Sequence, residues 1–147
     1  MGMKTKVSIN RFNTDNIKDG VVRVGWFEGM RYTDSTPVAR VARAHEFGYG
    51  VPRRSFIRPV LHRNQSNWRV QLRDAYARAI MNNNDTIAVL ERFGHHVRGA
   101  IQREIWEGHF KPLAPSTIKA KGGRTKPLID TTLMVNSIAV QAEENKK

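Results

Sequence analysis

The chain has 147 residues, no cysteine, and 25 Lys plus Arg against 13 Asp plus Glu, a formal net charge of +12. One compact domain is expected at this length, and no apolar run approaches the roughly 20 residues needed to cross a bilayer. The missing cysteine excludes disulfide scaffolds, thiolate zinc sites, iron–sulfur clusters and a cysteine nucleophile, while the basic excess points to an anionic partner: nucleic acid, a membrane surface or an acidic protein face.

Residues 1–20 scatter Lys4, Lys6, Arg11, Asp15 and Asp19 among polar residues and lack the apolar stretch of a secretory leader, so synthesis and initial residence in the cytosol are expected. A weak extended stretch is read over Lys6 to Phe12, with turn chemistry in Asn13-Thr14-Asp15-Asn16. Val21 to Phe27 is β-branched and aromatic with a partial period of two and reads as a strand. Ser35 or Thr36 can cap a helix that accepts Pro37 in its first turn, runs over Val38–Phe47 and stops at Gly48. The glycines and proline of Tyr49 to Phe56 make that segment an ordered loop or arm.

Pro59 is placed to start a long helix with Leu61, Trp68, Leu72, Ala75, Tyr76, Ala79 and Ile80 on one face, ended by Asn82-Asn83-Asn84. Asp85 can cap a second long helix marked by Ile87, Leu90, Phe93, Val97, Ile101 and Ile105. After Gly108 the prolines and glycines break the chain into short pieces. A helical turn or two is expected from Pro115 or Ser116 to Lys121, a short helix capped by Asp130 across Leu133 and Met134, and a final strand over Ile138 to Gln141. Glu143 to Lys147 are expected to fray. The fold class expected is α+β: a small antiparallel sheet, two long helices, and extended arms or loops, in a single domain over residues 1–147 with a flexible charged C-terminal end.

No catalytic set emerges. His45-Glu46 begins an H-E-x-x-H pattern, but Tyr49 stands where the second histidine belongs and Gly48 has ended the helix. His95 and His96 are adjacent, so on a helix they point about 100° apart and are read as structural or exposed. His62 and His109 lack acidic neighbours in sequence. The carboxylates are scattered, and Glu104 with Glu107 reads as a solvated helix face. The glycines form no phosphate-binding loop. The expectation is a protein without catalytic residues, bound metal or cofactor.

The basic residues are better segregated. Between Phe47 and Arg73 there is no Asp or Glu, while Arg53, Arg54, Arg58, Arg63, Arg69 and Arg73 occur with Phe56 and Trp68 interleaved. Arginine suits bidentate pairing with phosphate or carboxylate. This stretch reads either as a basic rim meeting DNA backbone or an acidic partner, or as a solvated helix face whose arginine stems cover apolar surface.

Three segments, in order, carry a family resemblance. Ala42-Arg43-Ala44-His45-Glu46-Phe47-Gly48 is followed by Val51-Pro52-Arg53-Arg54-Ser55-Phe56-Ile57-Arg58-Pro59. Then come Pro112-Leu113-Ala114-Pro115-Ser116-Thr117-Ile118-Lys119-Ala120-Lys121-Gly122 and Pro127-Leu128-Ile129-Asp130-Thr131-Thr132-Leu133-Met134-Val135-Asn136-Ser137-Ile138. Together they resemble the tail-completion and neck proteins of long-tailed bacteriophages, the virion-morphogenesis group. Ser55 departs from the family's frequent second proline, and Thr132 from its Asp-Thr-Gly, losing the backbone freedom of glycine.

The resemblance implies a non-enzymatic virion component at the head–tail junction, assembled in the host cytoplasm. It implies a homo-oligomeric ring, commonly hexameric, touching other tail and connector proteins, with genomic DNA passing its channel and no membrane partner. A non-sequence-specific DNA-binding module is the alternative. The interface residues expected are Arg53, Arg54, Phe56, Arg58, Leu128 and Leu133, with Phe56 as an aromatic anchor for a neighbour. Arg63, Arg69 and Arg73 are the candidate contacts to DNA or an acidic partner.

Overall fold

The computed structural model describes residues 14, 15, 17–123 and 132–145. The expected strand over 6–12, the Asp130 cap and the candidate interface residue Leu128 lie outside them. The element order is β1 (Gly20–Gly25), α1 (Val38–Phe47), α2 (Ile57–Met81), α3 (Thr86–Glu107), α4 (Pro115–Ala120), α5 (Leu133–Asn136) and β2 (Ala139–Glu144). The two strands form an antiparallel pair, with Gly20 opposite Glu144 and Gly25 opposite Ala139. The architecture is the α+β arrangement expected, a small antiparallel sheet with two long helices. No described helix is long and apolar enough to cross a membrane.

Helix α3 is the centre of the molecule, with β1 and β2 packed on one side and α2 on another. Gly94 permits the close approach of helix to sheet: a Cβ there would overlap Val140 Cγ1 and lie 2.6 Å from Val22 Cγ2. Asp85 starts α3 as its residue type predicts, its carboxylate accepting from the Ile87 N–H at 2.9 Å. Because α3 is covered on more than one side, burial spreads beyond the expected stripe. Val89, Gly94 and Thr86 join Leu90, Val97, Ile101 and Ile105, while Ile87 and Phe93 are half-buried.

Helix α1 has the expected bounds. Gly48 ends it in the left-handed region at φ 81°, donating its N–H to the Ala44 carbonyl at 2.7 Å. Its start differs from expectation: Pro37, not Ser35 or Thr36, occupies the cap. The Val38 N–H is instead satisfied by the Met30 carbonyl, at 3.0 Å, so the helix begins by closing a loop against the preceding chain.

Three further expectations need correction. Helix α2 begins at Ile57, before Pro59, and buries Val60, Trp68 and Ala79, leaving Leu61 44% exposed. Glu143 and Glu144 do not fray but extend β2, held by backbone pairing and by ion pairs to Arg23 and Lys18. Thr132 takes the left-handed conformation at φ 61° despite its β-branch, so the turn entering α5 keeps a shape usual for glycine. The core collects Val38, Phe56, Val60, Trp68, Val97, Ile101, Ile105, Met134, Val135 and Ile138.

Candidate functional site

Residues 46–58 fold around the buried carboxylate of Glu46, which is 3% exposed, and residues 111–112 and 134–135 are tied to the same region. Helix α2 has no side-chain cap of its own. Glu46, projecting from α1, supplies one from a distance. Its Oε2 accepts from the N–H groups of Phe56 (2.8 Å) and Ile57 (3.0 Å). Its Oε1 accepts from the Arg58 N–H (3.2 Å), the Ser55 hydroxyl (2.6 Å) and Arg58 Nε (3.0 Å). A negative charge against the N-terminus of a 25-residue helix also suits the helix dipole. Burial pushes the Glu46 carboxyl up, but the hydrogen bonds from Ile57, Ser55, Phe56 and Arg58 together outweigh it and hold the group below its ordinary 4.5.

Arg54 ties this clasp to the second segment. It is 4% exposed, and its guanidinium donates to the carbonyls of Lys111 (Nε, 2.9 Å) and Pro112 (3.3 Å), while its backbone N–H donates to the His45 carbonyl at 2.8 Å. The third segment joins through Trp26, which donates its indole N–H to the Met134 carbonyl at 2.7 Å and meets the Phe56 ring edge-to-face at 5.7 Å. Gln102 reaches the Val135 carbonyl from α3 at 3.1 Å. His45 sits under the clasp with Nδ1 buried and unpartnered. Burial, then the positive charges of Arg54 and Lys121, lower its pKa to about 4. It is a neutral imidazole at physiological pH.

These contacts reassign several expected interface residues. Phe56 is fully buried in its own chain's core, so it is no free anchor for a neighbour. Arg54 is an internal clamp, while Arg58 is engaged by Glu46 yet keeps 46% of its side chain exposed and so still reaches the surface. Leu133 is half-buried and packs against the core. Only Arg53 of the described members of that set is exposed without a partner role in the clasp. The sequence offers no local sign of this, because the helix cap lies 11 residues upstream of the helix it serves.

What the clasp leaves on the surface is an aromatic step either side of Gly48. Phe47 is 47% exposed and Tyr49 59%, and their rings stack at 5.7 Å with 18° between planes. Arg58 lies over the Phe47 ring at 4.7 Å and Arg43 over the Tyr49 ring at 5.7 Å. Four side chains thus form a cation–aromatic–aromatic–cation row facing solvent. Two aromatics bracketing a helix-stop glycine were its sequence signal, and one that charge patterning alone passes over.

A second surface feature is an open groove between α2 and α3, in two adjoining stretches of about 770 Å³ and 570 Å³ that share Gln71 and His96, the first chiefly polar and the second mixed. Of the arginines expected to meet DNA, only Arg63 lines it, and Arg63 is ion-paired with Glu104. Arg73 pairs with Asp74 at 2.9 Å, and neither it nor Arg69 lines the groove. His95 and His96 are both exposed on the groove wall, His96 edge-on to Trp68 at 6.0 Å. Among the described residues no group of three or more His, Asp or Glu is placed to hold a metal ion. Neither a protein-family model, nor a characterised protein, nor a solved structure matches this chain.

Proposed function

We propose that this chain is a structural virion protein of the phage head–tail junction, a tail-completion or neck ring subunit joining tail tube to head connector. The observation that carries the reading is the clasp. Three separate segments with the family's pattern are drawn together by Glu46, Arg54 and Trp26, and beside them stands an exposed row of two aromatics and two arginines. Exposed aromatic and arginine side chains on a rigid support are the composition of interface hot spots. A ring is closed by a heterologous contact repeated by rotation, and the Phe47–Tyr49 step is the knob of that contact in place of Phe56. The partners are copies of this chain and the adjoining tail and connector proteins; its place is the virion, assembled in the host cytoplasm.

The reading is tested by deleting the coding region in the phage that carries it and examining particles by electron microscopy. Filled heads and finished tails are expected to accumulate unjoined, and joining to return when the chain is supplied in trans. Normal joined particles from the deletion would overturn it.

A further inference from the structure

The groove between α2 and α3 is a separate matter from the ring contact, and it carries a different chemistry. Along α3, Arg92, His96, Gly99 and Arg103 follow each other at three- and four-residue spacing; along α2, Arg63, Asn67, Gln71, Ala75 and Arg78 do the same on the facing wall. Arg63 is neutralised by Glu104, which sits with Glu107 toward one end. Arg78, Arg92 and Arg103 form no ion pair with any carboxylate among the described residues. Three guanidiniums without a carboxylate partner among the described residues therefore line the trough, beside side-chain amides and imidazoles and, at the Arg78–Arg92 end, the apolar Ala75, Ala79, Val89 and Phe93.

At 1.5 Å per residue, Arg92 and Arg103 are about 17 Å apart along their helix, close to the length of five phosphates on one strand of a duplex. The chain itself offers nothing that fits. Residues 1–13 contain Lys4, Lys6 and Arg11 and no acid, residues 124–131 contain Arg124, Lys126 and Asp130, and a second copy brings a net charge of +12. Its apolar floor is largely withdrawn from solvent, with Trp68 6%, Val89 4% and Ala79 3% exposed, so a partner meets chiefly the polar and charged rim. All its cations besides histidine are arginines, which pair with phosphate through two parallel hydrogen bonds, and Asn67 and Gln71 add donors between them.

We infer that the α2–α3 groove binds the sugar–phosphate backbone of a nucleic acid through Arg78, Arg92 and Arg103, without reading its sequence. The inference does not depend on the ring reading: a monomer would bind equally.

The test is fluorescence anisotropy of the full chain with labelled 20-nucleotide single-stranded and duplex DNA between 50 and 200 mM salt, conditions chosen on the salt dependence of phosphate contacts. With three phosphates neutralised on duplex, the logarithmic salt slope is about −2.7, so affinity falls about 40-fold across that range. The single strand gives a shallower slope of about −2.1, and the comparison shows which form the groove prefers. Arg92→Gln with Arg103→Gln is expected to cost at least tenfold at low salt and to reduce the duplex slope by about 1.8. Arg69→Gln with Arg73→Gln removes the same charge away from the groove and is expected to cost no more than about threefold, the share due to net charge. Asn67→Asp with Gln71→Glu, placing negative charge on the opposite wall, gives the same loss without touching an arginine, which keeps the test valid if the first variant melts early. Equal losses from the groove pair and the Arg69/Arg73 pair would overturn the inference. So would no binding at 50 mM salt, or tighter binding of poly-glutamate of matched charge than of either DNA.

Discussion

Replacing Glu46 probes the device on which the whole end of the molecule depends. In Glu46→Gln the shape is kept and the charge removed. One oxygen remains to accept, while the new amide faces N–H donors and turns two or more attractive contacts repulsive, because all five groups around the carboxylate are donors. Hydrogen bonds to a charged group contribute about 1.5–3 kcal/mol each, and the variant loses two or more of them at a buried carboxylate whose ion-pair partner Arg58 is itself 46% exposed. The expected loss is therefore about 3–5 kcal/mol out of the 5–15 kcal/mol roughly typical of a domain. At about 2–4 °C per kcal/mol for a chain of this size, the melting midpoint falls by about 6–20 °C. Thermal and urea unfolding followed by circular dichroism measure it, and a loss below about 1 kcal/mol would refute the capping argument.

The same variant has a pH signature. The folded-state pKa of Glu46 is lowered, so its contribution is present above the unfolded value and is lost as pH falls through the folded one. Stability of the wild type should drop on acidification below about 4.5, and Glu46→Gln should remove that part of the slope.

His45 adds to acid sensitivity over a higher window. Its pKa is lowered to about 4 from 6.5, so the unfolded chain takes up the proton first and stability falls as pH drops from 6.5 toward 4; His45→Gln should flatten that limb of a stability–pH curve. Gly94→Ala forces a methyl into Val140 and Val22 and should destabilise by about 1–3 kcal/mol in urea titrations, whereas a wild-type midpoint would contradict the packing of α3 on the sheet. Phe56→Ala should cost about 3–5 kcal/mol as a core truncation, while Tyr49→Ala should melt like the wild type and lose self-association by tenfold or more. The two variants separate core from contact when a melting curve is read beside light scattering.

Much of the fold was legible because its signals are local. Gly48 stops α1 and Asp85 caps α3, each within a few residues of the element it bounds. Trp68 and Val97 to Ile105 fall on their helices' buried faces as the periodicity requires. What escaped is non-local. Glu46 caps a helix in another element, and its value appears only once α1 and α2 are placed beside each other; without it, Arg54 and Phe56 read as a protruding arm when they are clamp and core. Glu143 and Glu144 read as tail because their partners Gly20 and Val21 stand more than 120 residues away. The groove has no sequence signature, since it exists only once Arg63 and Arg78 of α2 and Arg92 and Arg103 of α3 are brought to line one trough. Charge segregation over 47–73 reaches only the α2 wall, because the arginines of α3 that complete the trough stand among acids in sequence, near Glu91 and Glu104.

Assembly through the Phe47–Tyr49 step, as proposed, is measurable by native mass spectrometry of the purified wild type and of Tyr49→Ala at matched concentrations and ionic strength. A closed ring is expected for the wild type and monomer for the variant, with both chains melting alike. A wild type that stays monomeric at every concentration and in the presence of purified tails, or a ring that survives Tyr49→Ala, would contradict it.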